Sequence, residues 1–91
     1  MSLSDMMITI SEEVVFEKVG DEMVLLNLET GAYFGLNPSG SRMWELLVAT
    51  KSPVRVVESM HHEYDVAVDV LEQDLANLIS ELKEKKLIEV G

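Results

Sequence analysis

The hydrophobic period of this chain changes once, at Asn37-Pro38, and that single switch constrains its fold more than any other feature. Before it, β-favouring runs alternate with turn residues. After it, apolar residues recur every three or four positions. A period near two followed by a period near 3.6 describes strands first and helices second, an α+β order of βββ then ααα.

The strand half reads cleanly. Val14 to Val19 is β-rich and ends at Gly20-Asp21, two turn residues suited to a tight hairpin in which Gly20 supplies a positive φ. The return run, Met23 to Leu28, is apolar enough for a central strand. Glu29-Thr30-Gly31 then makes a three-residue turn with glycine where a left-handed residue is needed. A third run, Ala32 to Leu36, places Ala32, Phe34 and Leu36 on one face and Tyr33 and Gly35 on the other. Residues 13–36 are thus expected to form a three-stranded antiparallel meander.

The helical half carries its own start signals. Asn37 can cap and Pro38 at the first helical position loses no hydrogen bond, so a helix is expected near 38–50, with Met43/Leu47 and Trp44/Val48 on adjoining stripes. Ser52-Pro53 repeats the signal, and Val54, Val57, Met60/His61 and Tyr64 mark the face of a second helix. Asp65 is the expected cap of a third, in which Val68, Leu71, Leu75, Leu78 and Leu82 follow 3-4-3-4 spacing with Ile79 beside them. Lys83, Lys85 and Lys86 gather where cations suit the helix C-terminus. Leu87 to Val90 reads as a short extended tail that seals the core.

Length allows one domain. At 91 residues with 47% apolar content the chain suits one small packed core. Residues 1–7 are expected to be disordered or an added leader, with translation starting at Met6 or Met7, leaving 8–91 as the domain. No Lys or Arg precedes Lys18, so a signal peptide's basic region is missing, and no apolar run approaches a membrane span. Seven Lys and Arg against seventeen Asp and Glu give a net charge of −10, which repels phosphate and argues against nucleic acid. With no cysteine there is no disulfide framework, thiolate zinc site or thiol catalysis, and the cytoplasm fits.

No catalytic constellation stands out. His61 and His62 are adjacent and point about 100° apart on a helix, so they do not share a metal easily. One partly buried and one solvated histidine is the expectation. His62 and Glu58 have i,i+4 spacing, but two ligands make a weak site. Ser39, Ser41 and Ser59 lack a nucleophile elbow, and Asn37-Pro38-Ser39-Gly40-Ser41 reads instead as a helix start rich in capping side chains. Glycines 31, 35 and 40 are too dispersed for a phosphate loop. Asp69, Glu72, Asp74, Glu81 and Glu84 lie mostly off the leucine stripe and read as a solvated face, and Trp44 reads as a core anchor. No cofactor or metal is expected.

What remains is an edge. In a meander the first and third strands each leave backbone groups unpaired. Residues 32–36 contain no Lys, Glu or Pro to protect that edge, and Gly35 would let another backbone approach. Either a helix covers this edge, or its shortness protects it, or something pairs with it.

The run Leu28 to Asn37, followed by Gly40 to Leu47, resembles the PqqD-like family: pyrroloquinoline quinone synthesis protein D and related peptide-recognition domains. Tyr64-Asp65-Val66, Asp74 and Leu82 through Glu89 match as well, so the likeness covers about residues 12–90. The resemblance implies a winged-helix-like fold that is not an enzyme. It would hold the leader of a ribosomally made precursor peptide and present it to a modifying enzyme, often a radical-SAM protein. Carried onto this chain, the leader would add as a strand along Thr30, Gly31, Ala32, Tyr33, Phe34, Gly35 and Leu36, against a line on the third helix formed by Val70, Asp74, Asn77 and Glu81. The Arg-rich and acidic pattern expected of quinone-pathway members near the first two strands is missing, which directs the reading to another modified-peptide pathway.

Other classes fare worse. A phosphopantetheine carrier lacks its Asp-Ser-Leu helix start, and three strands would be surplus. A winged-helix nucleic-acid binder would bring Asp69, Glu72, Asp74 and Glu81 against phosphate. An acidic protein-interaction domain without leader binding is the remaining alternative. The open edges also lead to the expectation of a homodimer, through edge pairing or exchange of the N-terminal hairpin.

Overall fold

The computed structural model describes residues 3–91. A 3-10 turn, Leu3–Asp5, leads into β1 (Ile8–Ile10), β2 (Val14–Val19), β3 (Glu22–Asn27), β4 (Tyr33–Leu36), α1 (Pro38–Thr50), α2 (Pro53–Glu63), α3 (Val68–Glu84) and β5 (Ile88–Val90). β2, β3 and β4 form an antiparallel sheet in that spatial order, while β1 and β5 pair separately. The expected meander and its three following helices are present, in an α+β fold consistent with a winged-helix-like arrangement.

Local chemistry explains the boundaries. Gly20 and Gly31 hold φ of +66° and +78°, the left-handed conformation that both turns need. Asn37 caps α1 by accepting from the Gly40 N–H, with Pro38 in the first turn, and Ser52 caps α2 by accepting from Arg55 ahead of Pro53. At the end of α1, Lys51 turns left-handed and its N–H bonds the Leu47 carbonyl.

The third helix departs from expectation. Its N-cap is Ala67, with no side-chain cap, not Asp65. The preceding segment is tied instead by the His61 ring, whose Nδ1 lies 2.9 Å from the Val66 carbonyl oxygen, and Asp69 in the first turn supplies the negative charge that a helix N-terminus favours.

One core joins all three helices to the sheet. Met23 and Leu25 from β3 meet Met43, Trp44 and Leu47 from α1, Val56 and Met60 from α2, and Leu71, Leu75, Ile79 and Leu82 from α3. Trp44 is fully buried, and Phe16 meets it edge-on at 5.4 Å between ring centroids. Its indole N–H has no hydrogen-bond partner, a cost of about 1–3 kcal/mol that its burial must exceed. On α2 the buried positions are Pro53, Val56, Val57 and Met60, whereas His61 and Tyr64 are exposed. His62 is exposed too, so neither histidine is partly buried.

The segment before residue 8 is also packed. Leu3 is buried, Met6 packs against the core, and Met7 exchanges backbone hydrogen bonds with Gly91. Residues 3–7 thus lie against the domain, while residues 1 and 2 fall outside the described residues. Leu87 and Ile88 are buried, so the C-terminal tail does seal the core.

Candidate functional site

The edge of β4 is open, and its hydrogen-bond phase can be worked out. Asn27 N–H donates to the Ala32 carbonyl at 2.9 Å, and the register pairs Leu26 with Tyr33, Leu25 with Phe34, Val24 with Gly35 and Met23 with Leu36. Antiparallel pairs alternate between bonded and non-bonded positions. Phe34 and Leu36 consequently bond to β3, and the N–H and C=O of Tyr33 and Gly35 point away from the sheet. Those four groups are unclaimed by the ladder.

Beside this edge runs a groove of about 360 Å³ between β4 and α3. Phe34, Gly35 and Leu36 form its strand wall and Asp74, Asn77, Leu78 and Glu81 its helix wall. Asn37, Ser39, Gly40 and Met43 line it as well. The Lys85 ammonium sits over the Phe34 ring, 5.5 Å from its centroid. The groove thus has an apolar strand side, an acidic and amide helix side, and a cation beside Phe34.

Of the residues singled out in sequence, the structure brings Phe34, Gly35, Leu36, Asp74, Asn77 and Glu81 together here. Thr30, Gly31 and Ala32 serve the preceding turn: the Thr30 hydroxyl accepts from Ala32 N–H at 3.1 Å. Tyr33 lies on the outer face of the sheet, and Val70 is exposed on α3 without lining the groove. A Cβ placed on Gly35 would meet nothing within 4 Å, so the free protein does not require glycine there.

Sequence reasoning missed several lining residues. Asn37, Ser39 and Gly40 follow directly from β4, so their capping role places them at the groove's end. The Asn37 carboxamide oxygen accepts from Gly40 N–H at 2.8 Å, and a Cβ at position 40 would stand 3.1 Å from it, so the Leu-Asn-x-x-Gly spacing is that of a tight cap. The Ser41 hydroxyl donates to the Leu36 carbonyl, securing the end of the strand to the helix.

Asn27 was also missed, and it matters most for the geometry. It is buried, its oxygen accepts from Glu29 and Thr30 N–H at 2.9 and 3.1 Å, and its amide donates to the Lys86 carbonyl at 2.8 Å. One side chain therefore shapes the turn into β4 and ties it to the end of α3, setting the two walls relative to each other.

Little else offers chemistry. Arg42 and Glu63 join α1 to α2 through a paired interaction at 2.7 and 2.8 Å; that bond holds the Glu63 carboxyl below its ordinary range and raises the Arg42 guanidinium, and neither residue lines the groove. Among the described residues no cluster of three or more His, Cys, Asp or Glu is placed to hold a metal ion, and no helix is long and apolar enough to cross a membrane.

An antiparallel sheet followed by three helices, with one free edge set against the last helix, defines a small α+β domain of winged-helix-like type. The chain belongs to the family of coenzyme PQQ synthesis protein D (PqqD), whose model matches residues 22–88. Among solved structures it is similar to one described as TbiB1 in complex with the TbiA(beta) leader peptide, at 43% identity and a TM-score of 0.84, covering 89% of this chain and 94% of that one. It is also similar to a lasso peptide synthetase B1 complexed with the leader peptide, at 28% identity and a TM-score of 0.80, covering 90% and 96%. No curated protein matches it.

Proposed function

We propose that this chain is a non-catalytic binder of a precursor peptide's leader, which it holds as a fourth strand antiparallel to β4 and presents to a modifying enzyme in the cytoplasm. The observation that carries this reading is the open edge at Tyr33 and Gly35, with outward N–H and C=O groups, beside a groove that can take alternate side chains. In strand addition the main-chain bonds supply affinity and the pockets supply specificity. Micromolar binding needs about −8 kcal/mol, within reach of a few ladder bonds and two apolar anchors.

Two similar chains were solved with leader peptides bound, one of them a lasso peptide synthetase B1. That supports a lasso-type maturation enzyme as the recipient in preference to quinone synthesis. The acidic flank at Asp74 and Glu81 favours a leader with a cationic residue facing α3.

An NMR titration with leader peptides encoded nearby tests the reading. Shifts are expected at residues 31–36 and on α3 at Asp74, Asn77 and Glu81. Shifts confined to β2 or α2, with β4 silent, would overturn it.

A further inference from the structure

The outer face of the three-stranded sheet breaks the usual rule for a solvated sheet. An antiparallel sheet with one wet face alternates apolar inward and polar outward. Here Met23, Leu25 and Asn27 of β3 are buried, so Val24 and Leu26 point outward, and the register sets Val15, Leu26 and Tyr33 in one row across all three strands. Val19 lies further along β2. Val15, Val19 and Tyr33 are 48%, 61% and 64% exposed among the described residues. A contiguous apolar face of this kind on a small domain marks an interaction surface.

Its charge has one sign. Glu17 pairs with Val24 and Glu22 with Val19, so both carboxylates sit on this same outer face. Lys18, the one cation of β2, points to the opposite side and pairs with Glu45 of α1 at 3.9 Å. Two such faces from separate copies would set like charges together on chains that each carry −10. The face is also continuous with the β4 edge: a strand added there would prolong the Val15–Leu26–Tyr33 row with its own outward side chains.

We propose that this outer sheet face docks a protein surface that is apolar at its centre and ringed by Lys or Arg, carried by the enzyme that modifies the held leader. This rests on the leader-binding reading for the enzyme's identity. It adds that the enzyme reads the leader and the sheet together, so the loaded chain binds it more tightly than the empty one.

A purified lasso-type modifying enzyme from the same source as this chain is the probe, with binding followed by interferometry and with leader peptide present or absent. The double variant Glu17→Lys/Glu22→Lys is expected to weaken enzyme binding at least tenfold, and Val15→Ser/Val19→Ser by a similar factor. Both should keep the wild-type melting curve and leader affinity within about twofold. Leader should strengthen wild-type enzyme binding severalfold. Enzyme binding unchanged in both variants, or no enzyme binding to the wild-type chain, overturns the proposal. So does a wild-type dimer in sedimentation that Val15→Ser/Val19→Ser dissociates, since a second copy would then occupy the face. If the leader alone fails to bind, the leader-binding reading falls, while the charge-reversal result still decides whether this face docks the enzyme.

Discussion

β2 and β4 run in the same direction on opposite sides of β3, and each turns alternate N–H and C=O groups outward; the groove described above lies beside β4. The β2 edge carries Glu17 and Lys18, and its Phe16 ring leans on Trp44 of α1. The β4 edge is four residues long and uncharged, and α3 stands beside it. Charges on an edge strand discourage pairing. Unpaired backbone groups are therefore common to both edges; what separates them is whether side-chain pockets accompany those groups.

Trp44→Ala removes the buried anchor on which the Phe16 ring of β2 rests. Loss of a large buried aromatic should cost about 3–5 kcal/mol, a large share of the roughly 5–15 kcal/mol that holds such a domain together, and denaturant melts should show a strongly destabilised or unfolded chain. A wild-type melting temperature would mean that the ring is not the anchor its burial indicates.

Asn27→Ala attacks the β4 side alone. It leaves the Lys86 carbonyl and two turn N–H groups without their partner, which should cost roughly 1–3 kcal/mol, and it should weaken leader binding as the groove walls separate. Stability measured with and without leader separates the two effects.

The comparison between edges is tested most directly by proline. Tyr33→Pro removes an outward N–H on β4 without touching a ladder bond to β3, and should lower leader affinity about tenfold, or ~1.4 kcal/mol. Lys18→Pro removes an outward N–H on β2 and should leave leader affinity within about twofold. Equal losses in a calorimetric titration would erase the distinction between the edges. On α3, Asn77→Lys should change leader affinity severalfold, whereas Val70→Lys, about two turns away and outside the groove, should not.

The smallest effect belongs to the Arg42–Glu63 pair, which supports neither edge. Because Arg42 lowers the Glu63 pKa below its ordinary 4.5, the pair stabilises the fold above that value and stops doing so as pH falls through the lowered one. Glu63→Gln should cost less than ~1 kcal/mol at pH 7 for so exposed a pair, with the difference closing in acid and leader binding unaffected.

Much of this was legible in the chain because turn chemistry is local. Gly20, Gly31, Asn37-Pro38 and Ser52-Pro53 each announce a boundary from their own backbone preferences, and the boundaries of β2, β4, α1 and α2 follow. β1 was not legible: Ile8-Thr9-Ile10 is too short to show a period, and its partner strand lies at the far end of the chain. Asn27 was hidden for the same reason, since its amide meets a carbonyl 59 positions away. Asp65 misled because a good capping residue marks a helix start only when the backbone there already enters the helix. The exposed edge of β4 could be inferred from composition, but which of its N–H groups face outward depends on register, and register is set across strands.

The pairing of β1 with β5 brings Met7 and Gly91 within hydrogen-bonding distance of each other. Residues 7 and 91 therefore stand about one strand spacing apart (roughly 5 Å), with the Leu3–Asp5 turn and Met6 packed against the fold ahead of them. Joining residue 91 back to residue 7 and reopening the ring at an exposed turn such as Gly20-Asp21 would keep the β1–β5 pairing but give up the packing of Leu3 and Met6, so such a permuted chain should fold with reduced stability.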